Sequence, residues 1–163
     1  IIKVLKYISE NRHDIKNVVL DDYQYVLSEQ FMKDALEKGF EKYTRIGKYS
    51  YDVINTGLNM RSDMNFIILT HSDEENGKVK MKTLGKLLDN VVNPIGLFTI
   101  ALFTTNRIGT NEKLEYCFTT NKVMDIRGFD IPAKSPIGMF DEVLIPNDMG
   151  YVIKKIKEYN EGA

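Results

Sequence analysis

The chain has 163 residues, 43% hydrophobic and 28% charged, a balance that fits one folded domain and excludes a disordered chain. Its 22 Lys+Arg against 23 Asp+Glu leave a net charge of -1, which excludes a whole-domain basic footprint but not a local basic patch. A lone cysteine, Cys117, excludes an intramolecular disulfide and a cysteine-rich zinc site and points to a reducing cytosol. No apolar run reaches the roughly 18 residues of a membrane span, and no signal peptide is visible.

The chain opens at Ile1 with Val4, Leu5 and Ile8 at helical spacing, followed by a polar turn from Ser9 to Asn17. Val18-Val19-Leu20, closed by Asp21 and Asp22, predicts a buried strand with charge at its carboxyl end. Helical periodicity runs from Ser28 to about Met60. Gly39 and Gly47 divide it into two helices or a kinked one, and Gly57 closes it. Phe66-Ile67-Ile68-Leu69 predicts a second buried strand ending in Thr70, His71 and Ser72. Ser72–Lys82 is polar and reads as a mobile loop or hairpin. A short helix is expected from Thr83 to about Val91, stopped by Pro94 and Gly96. Leu97–Phe103 predicts a third buried strand. Lys113–Thr120 alternates like a half-exposed antiparallel strand, with Leu114, Tyr116 and Phe118 on one side. A Pro/Gly-punctuated stretch from Gly128 to Pro146 leads to a last helix begun by Pro146-Asn147-Asp148, with Val152, Ile153 and Ile156 on its apolar side.

Strands separated by helices predict an α/β fold: a mostly parallel sheet flanked by helices, with Val18–Leu20, Phe66–Leu69 and Phe98–Phe103 as adjoining central strands and a β-rich tail. Ligands of such sheets gather at the carboxyl ends of the strands. There the sequence places Asp21 and Asp22 after the first strand, and Thr70, His71 and Ser72 after the second. An acid at the end of an apolar strand is the Walker B pattern, in which a rigid carboxylate holds the Mg²⁺ that bridges nucleotide phosphates. The same acids also suit a helix cap or a loop. Thr70-His71-Ser72 suits a γ-phosphate sensor or a strand-terminal turn. Within these residues there is no phosphate-cradling G-x-x-x-x-G-K-[ST]: Gly47-Lys48 and Gly85-Lys86 lack the first glycine and the final Ser or Thr. Lys78, Lys80, Lys82 and Lys86 form a basic cluster that suits a solvated surface or a nucleic-acid backbone, with Asp73, Glu74 and Glu75 beside it. His13 lies in a polar turn, and Cys117 reads as structural.

Val18-Val19-Leu20-Asp21-Asp22-Tyr23-Gln24-Tyr25 resembles the Walker B segment of phage-encoded RecA-like nucleotide-binding proteins, the P-loop ATPases of phage single-strand annealing and recombination. Further segments resemble the same family in the same order: Phe66 to Ser72, Lys82 to Asp89, Ala133 to Phe140, and Ile145 to Asp148. The resemblance runs from about Val18 to Tyr159. It implies a RecA-like core, Mg²⁺ and ATP as cofactors, single-stranded DNA as partner, a homo-oligomeric ring or filament, contact with phage recombination proteins, and the cytoplasm of a bacterial host. By the same resemblance, Asp21 positions the metal and Asp22 adjoins it as a second catalytic acid. Thr70, His71 and Ser72 sense the nucleotide, with His71 also catalytic. Lys134 reaches the nucleotide of a neighbouring subunit, and Lys78, Lys80 and Lys82 lie in a DNA-binding loop. The family's first strand and P-loop would precede Ile1, so a fragment, a processed chain or a degenerate relative is expected, binding ATP weakly or not at all on its own. The rival expectation is a non-catalytic RecA-like interaction or assembly module.

Overall fold

In the computed structural model, which describes residues 1–83 and 93–162, the opening apolar spacing becomes α1 (Ile2–Asn11), with Leu5 buried. Its last turn leaves carbonyls without helical donors. The Arg61 guanidinium donates to the Ser9 carbonyl at 3.1 Å, to that of Ile8 at 3.3 Å, which also accepts from the Arg12 N–H, and to that of Ile15. β1 (Asn17–Leu20) follows, then α2 (Tyr23–Lys33), which begins five residues ahead of the expected helical stretch, and α3 (Glu41–Leu58), which runs through Gly47, so the break falls at Gly39 alone. Gly39, at φ 99°, lies between them in a conformation that favours glycine. β2 (Asn65–Ile68) pairs with β1 in parallel, from Asn17 with Asn65 to Leu20 with Ile68.

The chain divides into two units, Ile1–Asp73 with Met81–Phe98, and Glu74–Lys80 with Thr99–Ala163. The first is held by Tyr23, Leu27, Ile46, Val53, Ile54 and Met81, with Leu20 and Ile68 of the strand pair packed against them. Burying side chains of this size stabilises by about 1.5–3 kcal/mol each, so these helices are fixed mainly by their shared core rather than by propensity. Tyr23 anchors α2 by donating to the Ser50 carbonyl of α3 at 3.2 Å, and burial pushes its phenol up to about 12.

β3 (Ser72–Glu75) and β4 (Lys78–Met81) form a hairpin that runs across the division between the units. Its two-residue turn is Asn76-Gly77, at φ 51° and 74°, the positive pair that a primed hairpin turn requires. α4 (Pro94–Leu97) belongs to the first unit. Pro94 occupies its first turn, where a missing N–H costs nothing, so it starts a helix here.

In the second unit, β5 (Phe103–Ile108) pairs antiparallel with β6 (Leu114–Thr119), and β6 with β9 (Leu144–Pro146). β7 (Val123–Met124) and β8 (Asp130–Ile131) pair antiparallel, and β8 joins β4 through Lys78 and Asp130. α5 (Met149–Glu161) is capped by Asp148, whose carboxylate accepts from the N–H groups of Gly150 at 2.7 Å and Tyr151 at 3.2 Å. Val152 beneath it is buried with Phe118, Met139, Phe140 and Ile145.

The expected RecA-like core is not what the chain builds. The parallel core strands reduce to β1 and β2, while the other described sheets are a mixed four-stranded one and an antiparallel three-stranded one. Phe98–Phe103 is not a central strand. Ala101 makes an isolated antiparallel bridge to Lys134, and only at Phe103 does a strand begin. The run is apolar because it feeds three cores: Phe98 packs in the first unit, Ile100 and Leu102 against the α5 cluster, and Phe103 against Val79, Ile131 and Ala133. β1 is also less buried than its composition predicts, with Val19 53% exposed. On β6, Leu114 and Tyr116 are exposed, whereas Cys117, Phe118 and Thr119 are buried. The helix expected from Thr83 to Val91 lies, from residue 84 onward and with Lys86 in it, outside the described residues.

Candidate functional site

Because β1 and β2 are parallel and in register, their carboxyl ends open at the same place. The ladder continues one step further, with the Leu69 N–H donating to the Leu20 carbonyl at 3.0 Å and the Tyr23 N–H donating to the Leu69 carbonyl at 3.0 Å. This last bond fastens the first residue of α2 to the end of β2. Asp21, Asp22, Thr70 and His71 therefore meet at one edge, beside a helix N-terminus.

Asp21 Oδ1 accepts from the Asp22 N–H at 2.9 Å. Asp22 stands in the left-handed region, φ 51° and ψ 47°, which aspartate tolerates better than most residues. It occupies the N-cap position of α2, yet its side chain accepts no capping bond from the helix. Its Oδ1 instead accepts from Gln24 Nε2 at 2.9 Å and lies 3.6 Å from His71 Nε2. The Asp22 and His71 side chains are 52% and 62% exposed, so both remain open to water. The N-terminal end of α2 favours the two carboxylates.

Gln24 is the residue that sequence reasoning missed. It is only 7% exposed, and its Oε1 accepts from Thr70 Oγ1 at 3.1 Å and from the His71 N–H at 3.2 Å. The available signal was a glutamine on the buried face of α2, between Tyr23 and Leu27, two residues past the acids.

Of the other expected site residues, Ser72 is exposed and opens β3. Lys78 and Lys80 alternate on β4 with the buried Val79 and Met81. Lys80 Nζ lies 2.5 Å from Glu75 Oε2. The Lys82 N–H donates to the His71 carbonyl at 2.8 Å, closing the base of the hairpin. Lys134 belongs to the second unit, where its backbone N–H and carbonyl bond Ala101, both at 2.9 Å.

Among the described residues, no group of three or more His, Cys, Asp and Glu could hold a metal ion. Asp21 and Asp22 make a smaller donor set of hard oxygens. Such oxygens are the donor type that Mg²⁺ takes, since it binds through one or two carboxylates and draws its other ligands from water and phosphate. Among the described residues, no helix is long and apolar enough to cross a membrane. In comparisons with known proteins, no family model, no curated protein and no solved structure matches the chain.

Proposed function

We propose that the strand-end cluster of the first unit binds ATP with Mg²⁺, and that the protein couples this to work on single-stranded DNA in phage recombination or strand annealing. The observation that carries the reading is the juxtaposition of Asp21 and Asp22 with Thr70 and His71 at two parallel strand ends, with Asp22 tied to Thr70 and His71 through one buried amide. The collinear resemblance to phage nucleotide-binding proteins supports it at the level of sequence. Asp21 would hold Mg²⁺, directly or through water, and the ion would neutralise phosphate charge. Asp22 and His71 would accept or return a proton of a water at the phosphate. The Thr70 hydroxyl would face that phosphate. Lys78, Lys80 and Lys82 supply DNA phosphate contacts, and Lys134 serves a nucleotide held by a neighbouring copy in a ring or filament. The bacterial cytoplasm and phage recombination proteins are the setting this reading implies.

A second reading, a non-catalytic interaction or assembly module, draws on Met32, Leu36 and Phe40. These are 68%, 98% and 87% exposed around the α2–α3 connection, more apolar surface than one short segment usually shows to water. ATP hydrolysis with single-stranded DNA present separates the two. The ATPase reading predicts turnover that Asp21→Ala reduces by roughly a hundredfold or more. Equal turnover in the variant removes Asp21 from the site, and no turnover in either protein favours the assembly module.

A further inference from the structure

We infer that Gln24 is the positioning residue of the strand-end site, holding the Asp22 carboxylate and the His71 backbone in fixed relation across β1 and β2. The inference rests on the reading of that site as a magnesium-nucleotide site.

A buried amide costs stability unless its donors and acceptor are satisfied, and an apolar residue would sit more cheaply between Tyr23 and Leu27. Gln24 directs its described side-chain bonds to residues of the site: Nε2 to Asp22 Oδ1, Oε1 to Thr70 Oγ1 and to the His71 N–H. The orientation of the amide follows from its partners. A backbone N–H can only donate, so the oxygen faces β2, and a carboxylate oxygen can only accept, so the nitrogen faces Asp22. The bond to Asp22 is charge-assisted and correspondingly strong. It also explains why Asp22 forgoes the capping bond that its place at the start of α2 offers. The Asp22 carboxylate is held instead by a side chain that is fixed at its other end to the strand carrying Thr70 and His71.

The test separates the two ends of the amide. Gln24→Glu has the same shape and keeps an oxygen for Thr70 and the His71 N–H, but turns an acceptor and a negative charge toward Asp22. Gln24→Leu removes all three bonds. Three quantities are read on the full chain, with thermal unfolding recorded for each variant: hydrogen exchange of the His71 backbone amide, the ¹³C resonance of the Asp22 carboxylate, and affinity for Mg²⁺-ATP. Gln24→Leu should speed His71 exchange about tenfold or more and shift the Asp22 resonance. Gln24→Glu should leave His71 exchange within about twofold of the parent, shift the Asp22 resonance, and weaken Mg²⁺-ATP about tenfold. A Gln24→Glu protein with the parent's Asp22 resonance, or a Gln24→Leu protein with the parent's His71 exchange, overturns the inference. If the parent chain does not bind Mg²⁺-ATP, the nucleotide reading fails, while the exchange rate and the carboxylate resonance still decide the role of Gln24.

Discussion

Gly57 shows how much a single side chain decides in the first unit. It lies inside α3, and a Cβ built on it would enter the ring of Phe66 on β2. The helix therefore approaches the strand pair more closely there than any larger residue allows. Gly57→Ala should destabilise the protein by about 1–3 kcal/mol by overpacking, although alanine is the better helix former. The shift in urea midpoint measures this, and Gly57→Ala combined with Phe66→Leu should recover part of the loss. An unchanged midpoint would mean that the Phe66 ring turns aside freely. In the sequence, Gly57 reads as the end of a helix, and α3 does end one residue later at Leu58. Its packing role was not legible, because it depends on a strand that pairs only in three dimensions. Gln24 escaped for the same reason: its partners just past β2, Thr70 and His71, lie 46 and 47 residues away.

Between α2 and α3, Asp34 acts as a clamp. Its Oδ2 accepts from Gln30 Nε2 at 3.0 Å and from Arg45 Nε at 3.1 Å, and Arg45 also pairs with Glu37. The Gln30 hydrogen bond first, then that of Arg45, holds the Asp34 carboxyl below its usual range, against its partial desolvation. A carboxyl lowered on folding stabilises the native state above its ordinary value, and that contribution disappears as pH falls through the lowered value. Asp34→Asn should therefore cost stability near neutral pH, and the gap to the parent should close as pH falls through the lowered carboxyl value. Chemical denaturation at a series of pH values tests this, and a gap independent of pH would contradict it.

The β3–β4 hairpin was half legible as an element. Asn76-Gly77 is a turn signal, and Lys78, Val79, Lys80, Met81 and Lys82 alternate at the strand period. A polarity-led reading as a loop with little apolar area overlooks Val79 and Met81, which are both buried. Replacing Lys78, Lys80 and Lys82 with glutamine spares both apolar residues, so the fold should persist. If the lysines meet DNA phosphates, the salt dependence of single-strand binding should flatten by about one to two units. Three contacts would give roughly two, and Lys80 must first leave Glu75. Fluorescence anisotropy across a salt series measures the slope, and an unchanged slope returns the hairpin to solvated surface.

At the scale of the whole molecule, what local patterning could carry was legible. Both strands of the parallel pair, the split of the helical stretch, the antiparallel β6 and the capped α5 lie close to their expected places. Sheet membership was not legible. Leu97–Phe103 has the composition of a central strand, but the division between the two units falls within it, after Phe98, and its side chains serve separate cores. Apolar composition reports burial without saying which core does the burying. The polar ends of β1 and β2 were readable because they lie next to the runs that define them, and register then brings Asp21 and Asp22 to Thr70 and His71.

Nuclear magnetic resonance titration of the ¹⁵N-labelled chain with Mg²⁺-ATP tests the strand-end site most directly. The 163 residues contain no G-x-x-x-x-G-K-[ST] motif, so the expected affinity is weaker than roughly 100 μM. The shifts should centre on Asp21 to Gln24 and on Thr70 and His71, require the metal, and vanish in Asp21→Ala. Saturable shifts confined to other residues, or the same response in the Asp21→Ala chain, would contradict the assignment of the nucleotide to this pair of strand ends.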